Sequence, residues 1–362
     1  MSTLKVDGIR SNSATSDAIT LADNGTCTAN ITNNLSNRNK IINGSMVINQ
    51  RGGGGTGVTT TGYKPAPDRF EFNISSMGTW TVGQSGSYPE GFNHSYYMTC
   101  TTQDTSPAAS DFVSLSTKLE GYDVQDFLKG TSNAKEFSLS FWVRSESHTG
   151  TMIAELYDND NARSCSKSYT INATQTWEHK TITFPADTTG AFGRDNGTSL
   201  ILVLWMGGGS NYTSGSLATT WGSATSANRA VGQTNMAQNG ASIRFTGIQL
   251  EVGSTATDFE HRSFGQELAL CQRYYQVVRA SLRNDYRTDL VATFGSGIQL
   301  YCEMRATPTA TTVTSVATQD VSNVSYGYIS NKGFIIVATG IVTTGGQAAQ
   351  QAVRDVGLAA EL

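Results

Sequence analysis

Residues 137–145, "FSLSFWVRS", put Phe137, Leu139, Phe141 and Val143 on one side of an extended chain and Ser138, Ser140, Trp142 and Arg144 on the other. A two-residue period is the mark of a half-buried antiparallel strand, whose apolar side must find a partner sheet. The reading extends outward from there. "SLILVLWMG" (199–207) is apolar on both faces, as a central strand is. "ASIRFTGIQLEVG" (241–253) alternates through Ile243 and Phe245, slips phase at Gly247 and resumes with Ile248, Leu250 and Val252, which predicts a β-bulge. Strand follows strand from Asp68 to Glu260 with polar turns between them and no interleaved helices. That arrangement predicts a mainly β fold, a jelly-roll β-sandwich.

Composition agrees. Only 15% of the 362 residues are charged, 38% are hydrophobic, and 37 glycines with many Ser, Thr and Asn make up much of the rest, favouring short strands and turns. The length suggests about two domains. A net charge of −4 without a basic run excludes nucleic acid as partner. No window is apolar enough to span a membrane, and "MSTLKVDGIRSNS" has no signal-peptide core, so a chain made in the cytoplasm and not inserted in membrane is expected. Cys27, Cys100, Cys165, Cys271 and Cys302 are odd in number and show no C-x-x-C spacing, which predicts free thiols rather than zinc or disulfides. Sequons such as Asn172-Ala-Thr carry no weight in an Asn/Ser/Thr-rich chain without a leader.

The predicted organisation has four parts. Residues 1–60 form an extended N-terminal arm for oligomerisation and anchoring, ending in "QRGGGGTGVTT" (50–60). Gly52, Gly54 and Gly57 there have G-x-G-x-x-G spacing, but no helix follows to hold a phosphate, so the stretch reads as a flexible connector. Residues 61–262 are the sandwich. A connecting helix is expected at 263–280, where Ser263 and Gln266 have capping-box spacing and Leu268, Cys271, Tyr275 and Val278 share a face. Residues 281–362 form a small C-terminal β domain, with Ile298, Leu300, Cys302 and Met304 alternating inward.

Three stretches resemble a known family. "NKIINGSMVINQRG" leading to "APDRFEF", "KLEGYDVQDFLKGTSNAKEFSLSFWVRS" with "TWEHKTITFPADTTGAF", and "FTGIQLEVGSTATDFEHRSFGQELALCQRYYQ" resemble, in order, the tail-fibre and minor virion structural proteins of marine-type bacteriophages. The resemblance spans about residues 4–310. It implies a virion protein with a carbohydrate-binding-module-like jelly roll, assembled as a homotrimer, held to other virion proteins by its N-terminal arm and attaching the particle to a host surface glycan or protein. A capsid decoration or head-fibre protein and a polysaccharide-depolymerising tailspike are the alternatives.

Glycoside hydrolysis needs two carboxylates roughly 5 to 10 Å apart. Asp158 with Asp160, Asp123 with Asp126, and Glu251 with Asp258 are the nearest candidates, and each fits a turn or a structural position better. His94, His148, His179 and His261 are dispersed, and no G-x-S-x-G elbow occurs. No catalytic residue, metal or cofactor is therefore expected, and the chain reads as a non-enzyme. Binding has more support. Residues 207–241 form a long polar loop containing Asn211, Tyr212 and Trp221, where an aromatic ring flanked by amide and hydroxyl donors can stack on a sugar. Trp221 packed onto its own sandwich, or in a trimer interface, is the alternative reading.

Overall fold

The computed structural model describes residues 6–13, 17, 19–21, 23, 27–29, 37–284, 293–319, 321–340 and 350–362. Near the N-terminus, β1 (Gly8–Ile9), β2 (Ile19–Leu21) and β3 (Cys27–Ala29) pair into a small sheet. Most of the remaining predicted arm before residue 37 lies outside the described residues. The body is built from β4 (Gly54–Val58), β5 (Glu71–Ser75), β6 (Thr79–Ser85), β7 (Ser95–Thr102), β8 (Phe112–Glu120), β9 (Phe137–Ser145), β10 (Gly150–Asp158), β11 (Arg163–Ile171), β12 (Glu178–Phe184), β13 (Thr198–Gly208), β14 (Gly222–Ser223) and β15 (Ser242–Val252). They form two six-stranded sheets, in the orders β14-β11-β10-β13-β8-β5 and β12-β9-β15-β7-β6-β4. This is the predicted jelly-roll sandwich.

Alternation fills its core. Phe137, Leu139, Phe141 and Val143 of β9 and Leu200, Leu202, Leu204 and Met206 of β13 belong to one buried cluster. Rings meet across the two sheets, Phe72 with Trp80 at 5.7 Å and Phe141 with Tyr169 at 5.0 Å. Each such side chain contributes about 1.5–3 kcal/mol on leaving water. The expected bulge is present: the β15–β9 register shifts between Thr246 and Gln249. Gly247 sits there at φ +62°, where a Cβ would come within 2.7 Å of the Phe92 ring, so no other residue fits without displacing that ring.

Three boundaries differ from expectation. The glycine stretch is an edge strand: β4 pairs with β6 through Gly54–Gly83 and Val58–Trp80, because glycines tolerate the irregular register and Val58 still reaches the core. The arm also ends earlier than residue 60. Ile41, Met46 and Ile48 are buried, Lys40 N donates to Leu250 O of β15, and Ile248 N of β15 donates to Gly44 O. The helix is shorter too. α-Helix Phe264–Gln272 is capped by the Ser263 hydroxyl, which accepts from Gln266 N at 3.4 Å, but Tyr275 and Val278 belong to a strand, β16 (Tyr275–Asn284). The β-branched and aromatic run "YYQVV" wins over helical periodicity once the strand Gln350–Ala359 is available as a partner.

Beyond the helix, β16, β17 (Thr293–Gln299), β18 (Thr309–Gln319), β19 (Val321–Gly327), β20 (Gly333–Gly340) and β21 (Gln350–Ala359) form two three-stranded sheets, β16-β21-β18 and β17-β20-β19. They enclose a cluster including Val278, Leu282, Met304, Ile336, Val356 and Leu358. Of the residues expected to alternate inward, Leu300 and Met304 are buried and Ile298 is partly so. Cys302, half-exposed, lies past the end of β17, where the two-residue period no longer applies.

A buried ion network joins this unit to the body. Arg69 donates to Glu361 Oε2 at 2.5 Å and to the Lys118 carbonyl at 2.8 Å, with its guanidinium 3.4 Å from the Tyr274 ring. Arg51 donates to Glu361 Oε1 at 2.8 Å and to Asp68 at 3.2 Å. Arg273 and Tyr274 both donate to Glu120. A second buried cation lies inside the sandwich. The fully buried Lys129 ammonium donates to Asp158 at 2.5 Å, Gly190 O at 2.7 Å and Thr189 O at 3.0 Å, and lies 3.0 Å from Asp187. Burial pushes the Asp187 carboxyl up, but hydrogen bonds from Arg163 and Lys129 outweigh it and hold it below its usual value.

Two predictions follow from these charges. Lys129→Met leaves the buried Asp158 without its counter-ion and Asp187 with Arg163 alone, and is expected to destabilise the body by about 3–5 kcal/mol, read as a lowered urea midpoint. Burial pushes Asp68 up to about 6 from an ordinary 3.8, against the pull of Arg51. The unfolded chain therefore loses this proton first, and the stability it contributes is present at low pH and lost as pH rises through about 6. Asp68→Asn is expected to flatten the change in urea midpoint between pH 4 and 7.

Candidate functional site

The site grows out of the outer face of the β8-containing sheet. In β8, Val113, Leu115 and Leu119 enter the core, so alternation leaves Phe112, Ser114, Ser116 and Lys118 on the opposite face. β13 adds Ile201, Val203 and Trp205 there, β10 adds Ile153, Glu155 and Tyr157, and β5 adds Glu71 and Asn73. Register aligns them: Ser114 stands between Trp205 and Asn73, and Ser116 between Val203 and Glu71.

Residues 209–241 then cross this face. They carry α1 (Ser210–Thr213), a 3-10 turn at Ser226–Asn228 and β14. Tyr212, Leu217 and Ala230 from this crossing pack on Ile153, Val203 and Trp205 as an outer cluster. What stays uncovered is a groove of about 260 Å³ lined by Glu71, Asn73, Phe112, Ser114, Ser116, Lys118, Ile201, Val203, Trp205, Tyr212 and Arg229. From Phe112 to Lys118 it runs about 20 Å at the rise of a strand.

One end of the groove is aromatic. Phe112, Trp205 and Tyr212 form a mutually packed trio, with centroids 5.3 to 6.2 Å apart. Beneath it the fully buried Glu155 accepts from Trp205 Nε1 at 2.9 Å and Arg229 Nε at 2.7 Å. The Arg229 guanidinium lies 5.1 Å from the Tyr157 ring and 5.2 Å from that of Trp205. Burial disfavours its charge, but Glu155 more than offsets this and keeps it ionised. The floor is polar and shallow-sided: Asn73 donates to Ser116 Oγ at 2.8 Å, and Ser114 and Ser116 are small. At the far end Lys118 is 3.1 Å from Glu71 and donates to the Leu362 carbonyl at 2.7 Å. Aromatic rings beside fixed polar groups in a concave surface are the chemistry that holds a sugar chain.

The structure divides the residues singled out from sequence. Tyr212 is a wall of the groove. Asn211, exposed, adjoins it and donates its backbone N–H to Ala109 O at 2.9 Å without lining the groove. Trp221 does not line it either. Its ring lies 5.8 Å from Phe137 and 5.2 Å from the Lys129 ammonium, and its indole N–H donates to Pro185 O at 2.8 Å. It seals the edge of the sandwich, which is the packing alternative. Phe112, Trp205, Arg229, Asn73, Ser114 and Ser116 were missed. The alternation in "FVSLSTKLE" separates core from outer face, but which outer face stays open depends on where residues 209–241 land.

The carboxylate pairs are occupied structurally. Asp158 holds Lys129, Asp126 pairs with Lys40 at 2.7 Å, and the buried Glu251 accepts from Thr257 and Gln249. His148 hydrogen-bonds Ser147 and Gln238, His261 packs among Phe92 and Phe259, and His179 lies 5.1 Å from Trp142. Among the described residues no group of three or more His, Cys, Asp or Glu is placed to hold a metal ion. Cys100 and Cys165 are unpaired, and burial pushes their thiols up to about 11 and about 12.

No protein-family model and no curated protein matches the chain. Among solved structures, the enzymatically active domain of tailspike protein 4 of bacteriophage CBA120 aligns with a TM-score of 0.31 at 12% identity, over 59% of this chain and 21% of that one. A family 61 carbohydrate-binding module in complex with beta-1,4-galactotriose aligns with a TM-score of 0.31 at 10% identity, over 59% of this chain and 99% of the module. The CBM22-1 xylan-binding domain from Paenibacillus barcinonensis aligns with a TM-score of 0.26 at 13% identity, over 56% and 94%. The chain thus spans about a fifth of the tailspike it matches. The role of the groove rests on its own residues.

Trp221→Ala is expected to lower stability by about 2–4 kcal/mol by opening the sandwich edge, with glycan binding unchanged once the variant is folded. Loss of binding at intact stability would instead return Trp221 to the ligand.

Proposed function

We propose that the chain is a non-catalytic, glycan-binding structural subunit of a bacteriophage virion, a tail fibre protein that attaches the particle to the host cell surface. The groove with its Phe112–Trp205–Tyr212 trio is the observation that carries this reading. The sequence resemblance supplies the virion, the homotrimer and the anchoring role of the N-terminal arm. Binding without hydrolysis is favoured because the candidate carboxylate pairs each have a member committed to an ion pair or buried hydrogen bonds. A rigid body joined to a second β unit by buried ion pairs suits a part that transmits load between particle and cell.

The test is binding of the purified, assembled protein to intact host cells and to their isolated envelope polysaccharide, with phage adsorption measured in its presence. Saturable binding that blocks adsorption is expected, and Phe112→Ala and Tyr212→Ala should each weaken it about tenfold. Release of reducing sugar would overturn the non-enzyme assignment. Absence of binding by the assembled oligomer would favour a capsid decoration or head-fibre protein.

A further inference from the structure

We infer that the ligand of the groove is an anionic polysaccharide, bearing uronic-acid carboxylates or sulfate esters, and that Arg229 is the residue that reads the anionic group; this rests on the glycan-binding reading above. The neutral-sugar trio needs no guanidinium. Yet one is built into the groove wall and held from three sides, by Glu155 through Nε and by the Tyr157 and Trp205 rings.

The way it is held matters. Glu155 engages Nε alone, at 2.7 Å. Nη1 and Nη2 have no hydrogen-bond partner among the described residues, although the side chain is only 23% exposed. Were Arg229 there only to balance Glu155, a bidentate pair through Nε and Nη would be the stronger arrangement, as Arg163 makes with Asp187 in this same sandwich at 2.9 and 3.0 Å. Arg229 instead engages its counter-ion through Nε alone. A planar fork with free N–H groups, immobilised before the ligand arrives, matches a two-oxygen anion and loses little side-chain entropy on binding it. The neighbouring Ser114 and Ser116 keep the floor low, so a chain stacked on Phe112 and Tyr212 comes within reach of that fork.

The experiment compares full-length protein on four immobilised probes: polygalacturonate, its methyl ester, a sulfated galactan and neutral beta-1,4-galactan. Binding at least tenfold tighter to polygalacturonate or to the sulfated galactan than to the two uncharged polymers is expected, and which of the two binds identifies the source of the anion. Arg229→Lys keeps a cation beside Glu155 but removes the fork, and should cost about tenfold to hundredfold on the charged probe and little on the neutral ones. Equal binding to charged and uncharged polymers overturns the inference and leaves glycan binding in place. No binding to any of the four removes both. The wild-type comparison decides the matter even if the variant does not fold.

Discussion

Arg69 is where the two halves of the molecule meet. A guanidinium taken almost wholly out of water costs several kcal/mol unless it is paired. Here Glu361 near the end of the chain and the Lys118 carbonyl in β8 accept from its two terminal nitrogens and the face of Tyr274 covers it, while Nε is buried without a hydrogen-bond partner. Four stretches distant in sequence must be in place together for the charge to be tolerated. β8 itself runs from the joint to the groove, with Glu120 accepting from Arg273 and Tyr274 at one end and Phe112 standing in the aromatic trio at the other.

The stretches that carry the family resemblance converge on that joint and its surroundings. Asn43 donates its side-chain amide to the carbonyls of Ile48 and Asp68, accepts from Ile48 N, and donates its own backbone N–H to the Glu267 carboxylate. Glu260 accepts from the backbone of Asn37 and Asn39, and Arg262 donates to the carbonyls of Ile41 and Asn39. Phe112, Ser114, Ser116, Trp205, Tyr212 and Arg229 all lie outside those segments, whereas Glu71 and Lys118 at the far end of the groove lie within them.

This explains what could and could not be read from sequence. The strands of the sandwich were legible because one face of each is buried, and the phase of "FSLSFWVRS" admits only one solution. The bulge at Gly247 was legible for the same reason. The end of the helix was not, because Tyr275 and Val278 satisfy both periods and only the presence of β21 decides between them. The glycines at 54–57 carry no side chains that could report pairing. The groove needed tertiary information of another kind: Trp205 reads as part of an apolar central strand and Trp221 as an aromatic residue among polar ones, and only the path of residues 209–241 puts the first at the groove and the second in the seam.

Lys129 has one more consequence. Two carboxylates and two carbonyls around a single positive centre, with aromatic rings beside it, make an oxygen cage of the sort that elsewhere would be filled from solution. Here the positive charge is tethered to the polypeptide. It cannot be diluted away, stripped by a chelator or exchanged for another ion, so the rigidity of this part of the sandwich is set at synthesis and is indifferent to the ionic make-up of the water in which the protein works.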